Sequence, residues 1–331
     1  MAVPKRKMIS RKQFQKMNEA RWQESERVIE RLDAKGDLSP QEARELPASF
    51  RKVCQDLGLS GERLYGLALS SRLNGMVMGV FRHLHRSRTR LQPIRFLTRT
   101  FPGAFKHNLG LFWISVILFW LPFFLLAFSG QWGLTWIQAI LGPEGMQGMD
   151  AMYGKDGDAL KHGRESYGSD FMMFAFYIQN NVSIDFRTFA GGIFYGIGTL
   201  FFTIFNGLAI GASAGYVHAS GDPMKFWTFV AGHSAFELVG LHLASMAGLR
   251  LGWGMIRPGQ LTRMAALIKN ARESLVLLGG AAVLTFLAAF IEGFWSAHPN
   301  PPALKFGVGA FFWLLTAIYL ISGRKEWYER P

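Results

Sequence analysis

The stretch "FVAGHSAFELVGLHLA", residues 229–244, sets three side chains that could do chemistry among apolar neighbours: His233, Glu237 and His242. On a helix, His233 and Glu237 are four residues apart and share one face. His242 lies five residues beyond Glu237 and therefore about 140° around the same helix. Ionisable groups in apolar segments are costly and usually face a bundle interior or a wet cavity. The spacing predicts a polar site centred on His233 and Glu237.

Two kinds of site need no bound ion. In the first, a neutral His233 is hydrogen-bonded to Glu237 or to Asn206 and joins neighbouring helices. In the second, Glu237 changes protonation as part of a channel or transporter, with Glu292 as a second carboxylate near the outer end of its helix.

A third alternative is a hydrolytic metal site, which needs about three protein ligands and an activated water. Beside His233 and Glu237, the sequence offers a third ligand from His242, His218 or Asp185. The sequence has no His-Glu-x-x-His motif and no Ser/Lys or paired-aspartate protease signature. An enzyme is therefore the less favoured interpretation, and the sequence assigns no catalytic residue, no metal and no cofactor.

Long apolar segments must position these residues. Half of the 331 residues are hydrophobic, with 29 Phe and 10 Trp. Residues 109–128 contain no charge, and twenty such residues are about the length that crosses a hydrocarbon core. The single Cys54 excludes an internal disulfide framework and a cysteine-based zinc site. The composition predicts an all-α polytopic membrane protein, with residues 1–108 as a basic, cytoplasmic helical domain that includes a juxtamembrane segment.

Basic and acidic residues are unevenly distributed along the chain, and this distribution predicts which segments lie on each side of the membrane. Residues 1–108 hold 22 Lys/Arg against 10 Asp/Glu, and no nucleic-acid-binding motif accompanies them. We therefore expect an anionic membrane leaflet rather than nucleic acid as their partner. Residues 130–171 hold six acids and three bases and are expected outside, whereas residues 250–272 hold five bases and no acid and are expected inside.

The number of membrane crossings follows from the expected locations of these two segments, one outside and one inside. Spans are predicted near 109–129, 186–217, 226–249, 272–295 and 303–322, with an external loop at 130–171 and a cytoplasmic tail at 323–331. Opposite sides for 130–171 and 250–272 require an odd number of crossings between residues 172 and 249. Either the long block crosses twice, or one block is a re-entrant half-helix, or residues 170–180 supply another crossing. Five or six spans result.

The central block "FAGGIFYGIGTLFFTIFNGLAIGASAGY", residues 189–216, is rich in glycine. Several glycines repeat every four residues, a pattern that lets helix backbones approach closely in lipid. The predicted packing positions are Gly192, Gly196, Gly207, Gly211 and Gly215. The alternative to packing is a thin-walled conduit or a hinge.

Just upstream, "QNNVSIDFR" gathers polar side chains at a predicted membrane edge. They could pair with one another, close a re-entrant turn or bind a lipid headgroup. The cluster consists of Asn180, Asn181, Asp185 and Arg187.

The ordered set "FYIQNN", "GGIFYGIGT", "FNGLAIGASAGY" and "GHSAFELVGLHLA" resembles the bacterial stage II sporulation protein M family of integral membrane proteins. The family's double asparagine matches Asn180 and Asn181, its Asn-Gly pair matches Asn206 and Gly207, and its His-x-x-x-Glu motif matches His233 and Glu237. Residues 50–86 also resemble the helical region that precedes the family's spans.

The resemblance implies an inner-membrane subunit of an envelope-associated complex, acting as a scaffold for partners. By the same resemblance, MoxR-type ATPases and von Willebrand factor A-like proteins are candidate partners, together with membrane lipids and a second copy of the chain. A role in sporulation does not follow, because relatives occur in bacteria that do not sporulate.

We predict that a reporter fused within residues 255–270 is cytoplasmic, because this segment is basic and free of acids. A fusion within residues 144–165 serves as the control and should be periplasmic. Paired phosphatase and fluorescent-protein fusions measure both positions. A periplasmic reporter at 255–270 would contradict the odd number of crossings.

Overall fold

The computed structural model describes residues 9–34, 38–84 and 92–324, and the regular secondary structure of these residues is entirely helical. The chain forms two compact units, Met1–Leu91 and Gln92–Pro331. The sequence analysis placed this boundary at 108. The juxtamembrane segment instead belongs to the second unit, because Phe101, Ala104 and Phe105 are buried in that unit's core. Most of the predicted tail, residues 325–331, lies outside the described residues.

The described residues of the first unit form three helices: α1 (Arg11–Asp33), α2 (Pro40–Glu62) and α3 (Leu67–Leu84). Ser39 and Glu42 form a capping box at the start of α2, as their spacing predicts.

The core of this unit is built around Trp22, which is fully buried. The Trp22 indole Nε1 donates a hydrogen bond to the buried Asp56 carboxylate at 2.8 Å. On the surface of the unit, Arg72 donates to Glu26 and lowers the pKa of that carboxyl group. Both a hydrophobic core and specific polar contacts therefore stabilise the N-terminal unit.

Residues 92–324 of the second unit form eleven further α-helices, and short π- or 3₁₀-helical turns join several of them. They are α4 (Pro93–Arg95), α5 (Phe101–His107), α6 (Leu109–Ser129), α7 (Thr135–Tyr153), α8 (Ala159–Tyr167), α9 (Asp170–Ala190), α10 (Ile197–Ser220), α11 (Pro223–Ala231), α12 (Ser234–Ile256), α13 (Arg263–Ile291) and α14 (Pro302–Ser322).

Within the described part of the chain, four helical segments are long and apolar enough to cross a membrane: Leu109–Ser129, Ile197–Ser220, Arg263–Ser296 and Pro302–Ser322. Two further long helices pack against these segments: α9 contacts α10 and α13, and α12 contacts all four. The predicted class, an all-α polytopic membrane protein, is confirmed.

Helix contacts give the directions of the long helices. The backbone of Gly207 contacts that of Phe119, and Gly211 contacts Phe123, so α10 runs parallel to α6. The Thr203 hydroxyl lies 2.8 Å from the Ser245 hydroxyl and the Thr199 side chain contacts Gly248, so α12 runs antiparallel to α10.

The α9 and α13 helices are also antiparallel, since Asn181 contacts Glu292 and Asp185 contacts Thr285. Together with α14, the long helices alternate in direction along the chain. Between residues 172 and 249 the chain therefore passes through the bundle three times, as α9, α10 and α12. The basic end of α12 and the start of α6 lie at one end of the bundle, because Arg250 and Asn108 both bind Glu273.

Two predicted spans do not correspond to single helices. Segment 186–217 is divided, because α9 ends at Ala190 and α10 begins at Ile197. Tyr195 and Gly196 between them have φ values of +55° and +83°, a left-handed backbone that reverses the chain direction. Segment 226–249 is likewise divided between α11 and α12. Backbone conformation and close glycine contacts, which hydropathy does not report, set both breaks.

Glycines line the contact between α10 and α6. A β-carbon at Gly215 would lie 2.6 Å from the Leu126 carbonyl oxygen, and Gly207 and Gly211 approach the backbone of α6 even more closely. Real β-carbons do not come this near to a carbonyl oxygen. The four-residue glycine spacing therefore places a bare strip of α10 directly against α6.

We predict that Gly211→Ala destabilises the protein, whereas Gly307→Ala does not. The added methyl group at Gly211 would overlap the Phe123 backbone, and overpacking of this kind costs about 1–3 kcal/mol. The matched control Gly307 lies inside an apolar helix with nothing within 4 Å of an added β-carbon. Thermal unfolding of the detergent-purified variants measures the difference. Equal melting temperatures would contradict the inferred contact.

Candidate functional site

The candidate site lies where α12 begins and α13 ends. His233 precedes α12 and is 3% exposed. A β-carbon at the neighbouring Gly232 would overlap the Trp295 ring, so a larger residue at this junction would require that ring to move. The absence of a side chain at Gly232 thus lets the start of α12 approach the end of α13.

The end of α13 is a π-helical turn, Glu292–Ser296. Such turns are rare and often occur at functional sites. This one carries two residues of the site, because Glu292 and Ser296 are both buried and both contact neighbouring elements. The Ser296 hydroxyl lies 2.8 Å from His233 Nδ1, and the Ser296 carbonyl accepts a hydrogen bond from Lys305 Nζ at 2.7 Å.

Three potential ligand groups converge between these two helix ends. His233 Nε2 lies 3.4 Å from Glu237 Oε2. Glu292 joins them, so that one donor atom from each of His233, Glu237 and Glu292 lies within 4.8 Å of the others. Asn181 on α9 donates a hydrogen bond from Nδ2 to Glu292 Oε2 at 3.3 Å. Three helices therefore contribute to one polar centre.

The two carboxylates of this centre have no cationic partner. Across residues 9–34, 38–84 and 92–324, no Lys or Arg side chain forms an ion pair with Glu237 or Glu292. The positive end of α12 favours a negative charge at Glu237, whereas the carbonyl end of α13 disfavours one at Glu292. Buried charges of one sign are costly unless a proton or a cation compensates them.

A cavity of about 200 Å³ adjoins the centre. Glu237 is the more accessible carboxylate, with 28% of its side chain exposed. Much of the remaining cavity lining is aromatic and comes from α6, α7 and α11, with Trp120, Phe123, Tyr153, Phe226, Trp227 and Phe229. The site thus combines two carboxylates and an imidazole with an apolar chamber.

A further buried carboxylate lies deeper in the bundle. Asp185 is 3% exposed and accepts a hydrogen bond from the Thr285 hydroxyl. It shares a face of α9 with Asn181, four residues earlier. These two residues of the predicted membrane-edge cluster are therefore inside the unit.

The other two residues of that cluster lie elsewhere. Asn180 and Arg187 are exposed on the opposite side of α9, although the Asn180 side chain donates to Asn181 Oδ1 at 2.9 Å. The four residues do not form a turn at a membrane edge, because "QNNVSIDFR" is an uninterrupted part of α9.

His242 and Asn206 do not join the centre. His242 Nδ1 lies 3.4 Å from the Ser115 hydroxyl, and the imidazole packs edge-on against Phe119. Asn206 donates to the Phe202 carbonyl within α10 at 2.7 Å. The 140° rotation along α12 directs His242 to α6 rather than to α13.

Sequence reasoning did not recognise the importance of Glu292 and Ser296. It treated Glu292 as a second carboxylate near the outer end of its helix, and as third ligands it named His242, His218 and Asp185, none of which belongs to the converging group. His218 instead accepts a hydrogen bond from the Trp227 indole at 2.9 Å. The available signal was a glutamate directly after an apolar run, in "FLAAFIEGFWS".

The comparisons with known proteins include one relative that matches part of the chain. An uncharacterized protein of Methanocaldococcus jannaschii is 26% identical over 122 residues, or 35% of this chain. The match spans 66% of that relative, just under two-thirds of its length. No solved structure matches the chain.

Two family models match separate parts of the chain. Residues 12–86 match a family described as a domain of unknown function, and this match includes residues 50–86. Residues 109–297, more than half of the chain, match the model described as stage II sporulation protein M. This second match includes every residue of the converging centre. The chain therefore belongs to the stage II sporulation protein M family.

Proposed function

We propose that this protein is an inner-membrane subunit of an envelope-associated complex and that His233, Glu237 and Glu292 form its functional centre. The observation that carries the proposal is the convergence of these three side chains beside a cavity, inside a unit whose helices are apolar enough to cross a membrane. Polar groups at such positions are expensive to keep and usually serve function.

The division into two units supports a scaffold. A membrane unit built by close helix packing would anchor the protein, and the three-helix N-terminal unit would present a surface to partners on the cytoplasmic side. MoxR-type ATPases and von Willebrand factor A-like proteins are the candidate partners, and anionic lipids would attract the excess of Lys and Arg before residue 109.

We predict that the wild-type protein, cross-linked in its native membrane, retains specific envelope proteins and that Glu237→Gln retains them equally well. The substitution removes charge from the centre while preserving side-chain size, so the partner-binding surfaces stay intact. Quantitative mass spectrometry of the purified complexes measures retention. An unrelated polytopic protein with the same tag provides the control, and equal retention by that control would refute the complex.

The same variant tests the centre itself. We expect Glu237→Gln to fail to complement a deletion strain, whereas His242→Gln, a polar substitution on the same helix but outside the centre, complements it. Membrane abundance of each variant is measured in parallel. Full complementation by Glu237→Gln would refute a functional role for the centre.

Proton transport is a second candidate function, favoured by one observation. Glu237 is partly accessible from the cavity, and its neighbour Glu292 is buried without a Lys or Arg partner among the described residues. Two such carboxylates could pass a proton between the cavity and the bundle interior.

For this second function, we predict that proteoliposomes containing the wild-type protein dissipate a pH gradient and that Glu237→Gln reduces the rate at least tenfold. A pH-sensitive dye inside the vesicles measures the rate. His242→Gln is the control and should resemble the wild type. A wild-type rate equal to that of empty vesicles would exclude proton transport.

A further inference from the structure

We propose that His233, Glu237 and Glu292 bind one divalent transition-metal ion, and that zinc is the ion whose chemistry the site fits best. The inference deepens the proposed function by naming the ligand of the same centre, and it rests on that assignment of the centre. The sequence alone assigned no metal, because Glu292 lies 55 residues beyond Glu237 and only the fold brings them together.

The donor atoms have the types and separations that zinc requires. One imidazole nitrogen and two carboxylate oxygens are donor types that zinc accepts, and three protein ligands are the number found in catalytic zinc sites. Two ligands at about 2.0–2.2 Å from a tetrahedral ion lie roughly 3.4 Å apart. His233 Nε2 and Glu237 Oε2 are 3.4 Å apart. The whole set lies within 4.8 Å, so a small rotation of one carboxylate completes the site.

Neighbouring residues orient two of the three ligands. Because Ser296 binds His233 Nδ1, the other ring nitrogen, Nε2, is directed toward Glu237. Asn181 donates to one oxygen of Glu292 and holds that carboxylate in place. Metal-ligating histidines and carboxylates generally have such outer partners, which fix the ring orientation and the tautomer.

Charge provides an independent argument. Elsewhere in the same unit, the buried Glu273 is compensated by Arg250, whose Nη2 lies 2.9 Å from Glu273 Oε2. Glu237 and Glu292 have no such cation among the described residues, although they lie close together. A divalent ion would neutralise both carboxylates and remove their repulsion.

The cavity gives the ion a free coordination position. His233, Glu237 and Glu292 line the cavity of about 200 Å³ together with aromatic side chains. Three protein ligands with one open position are characteristic of catalytic rather than structural zinc. A water molecule or a polar group of a ligand would take the fourth position from the cavity side.

The test measures metal in the full-length protein, purified in detergent through a tag that contains no histidine. We expect about one zinc per chain by inductively coupled plasma mass spectrometry. Glu237→Gln, Glu292→Gln and His233→Gln should each lower the zinc content at least tenfold. His242→Gln is the matched control, because it removes a buried histidine of the same helix outside the centre, and it should keep the wild-type content.

Titration distinguishes binding from loss of folding. Chelator treatment should lower the melting temperature of the wild-type protein, and added zinc should restore it. The reason is that an ion that binds only the folded state stabilises that state. Cobalt should give the visible absorption of a tetrahedral site in the wild type and not in Glu237→Gln. Asn181→Ala keeps all three ligands and should weaken zinc binding about 10-fold or more, as the loss of an outer partner does.

Three results would overturn the metal site. They are a wild-type protein that binds neither zinc nor cobalt, a His242→Gln variant that loses as much zinc as Glu237→Gln, and folded ligand variants that keep their zinc. Partner retention, measured on the same samples, reports separately on the proposed complex. A zinc-loaded protein without partners would refute the complex alone, and a metal-free protein with partners would refute the metal site alone.

Discussion

The placement of the buried Glu292 and the partly exposed Glu237 beside His233, without a Lys or Arg partner in the described chain, is the constraint on which this structure depends. Carboxylates at this depth are unfavourable unless hydrogen bonds, protons or a cation compensate them. Three features surround these side chains. A π-helical turn positions Glu292 and Ser296, Gly232 lets the two helix ends approach, and Asn181 of α9 donates a hydrogen bond to Glu292. All of these features are gathered around the same three converging side chains.

Close backbone packing holds together the helices that surround this centre. Glycines on α10 remove the side chains that would separate it from α6, and Gly192 and Gly252 do the same where the chain reverses beside α12. In lipid, association of helices depends on such contacts because the hydrophobic effect no longer distinguishes helix from solvent. The helices that carry the polar residues, α9 and α12, are thereby held between more apolar neighbours, which shield them.

The two polar centres of the membrane unit illustrate different uses of a buried acid. Glu273 is paired with Arg250 and accepts a hydrogen bond from Asn108, so its contacts fasten α6, α12 and α13 at one end of the bundle. Glu237 and Glu292, toward the other end, adjoin a cavity and lack such pairing among the described residues. The charge of Glu273 is therefore compensated within the protein. The charges of Glu237 and Glu292 are not, and the adjoining cavity has room for a ligand.

The sequence by itself determined the helical membrane class, the division into a basic N-terminal part and an apolar part, and the pairing of His233 with Glu237, because these depend on composition and on spacing within one helix. Only the tertiary structure decided that Glu292 and Ser296 complete the site, that His242 and Asn206 lie apart from it, and that the segment 186–217 is two helices. These outcomes depend on contacts between residues far apart in the chain and on the left-handed backbone at Tyr195 and Gly196, and helical periodicity carries no information about either.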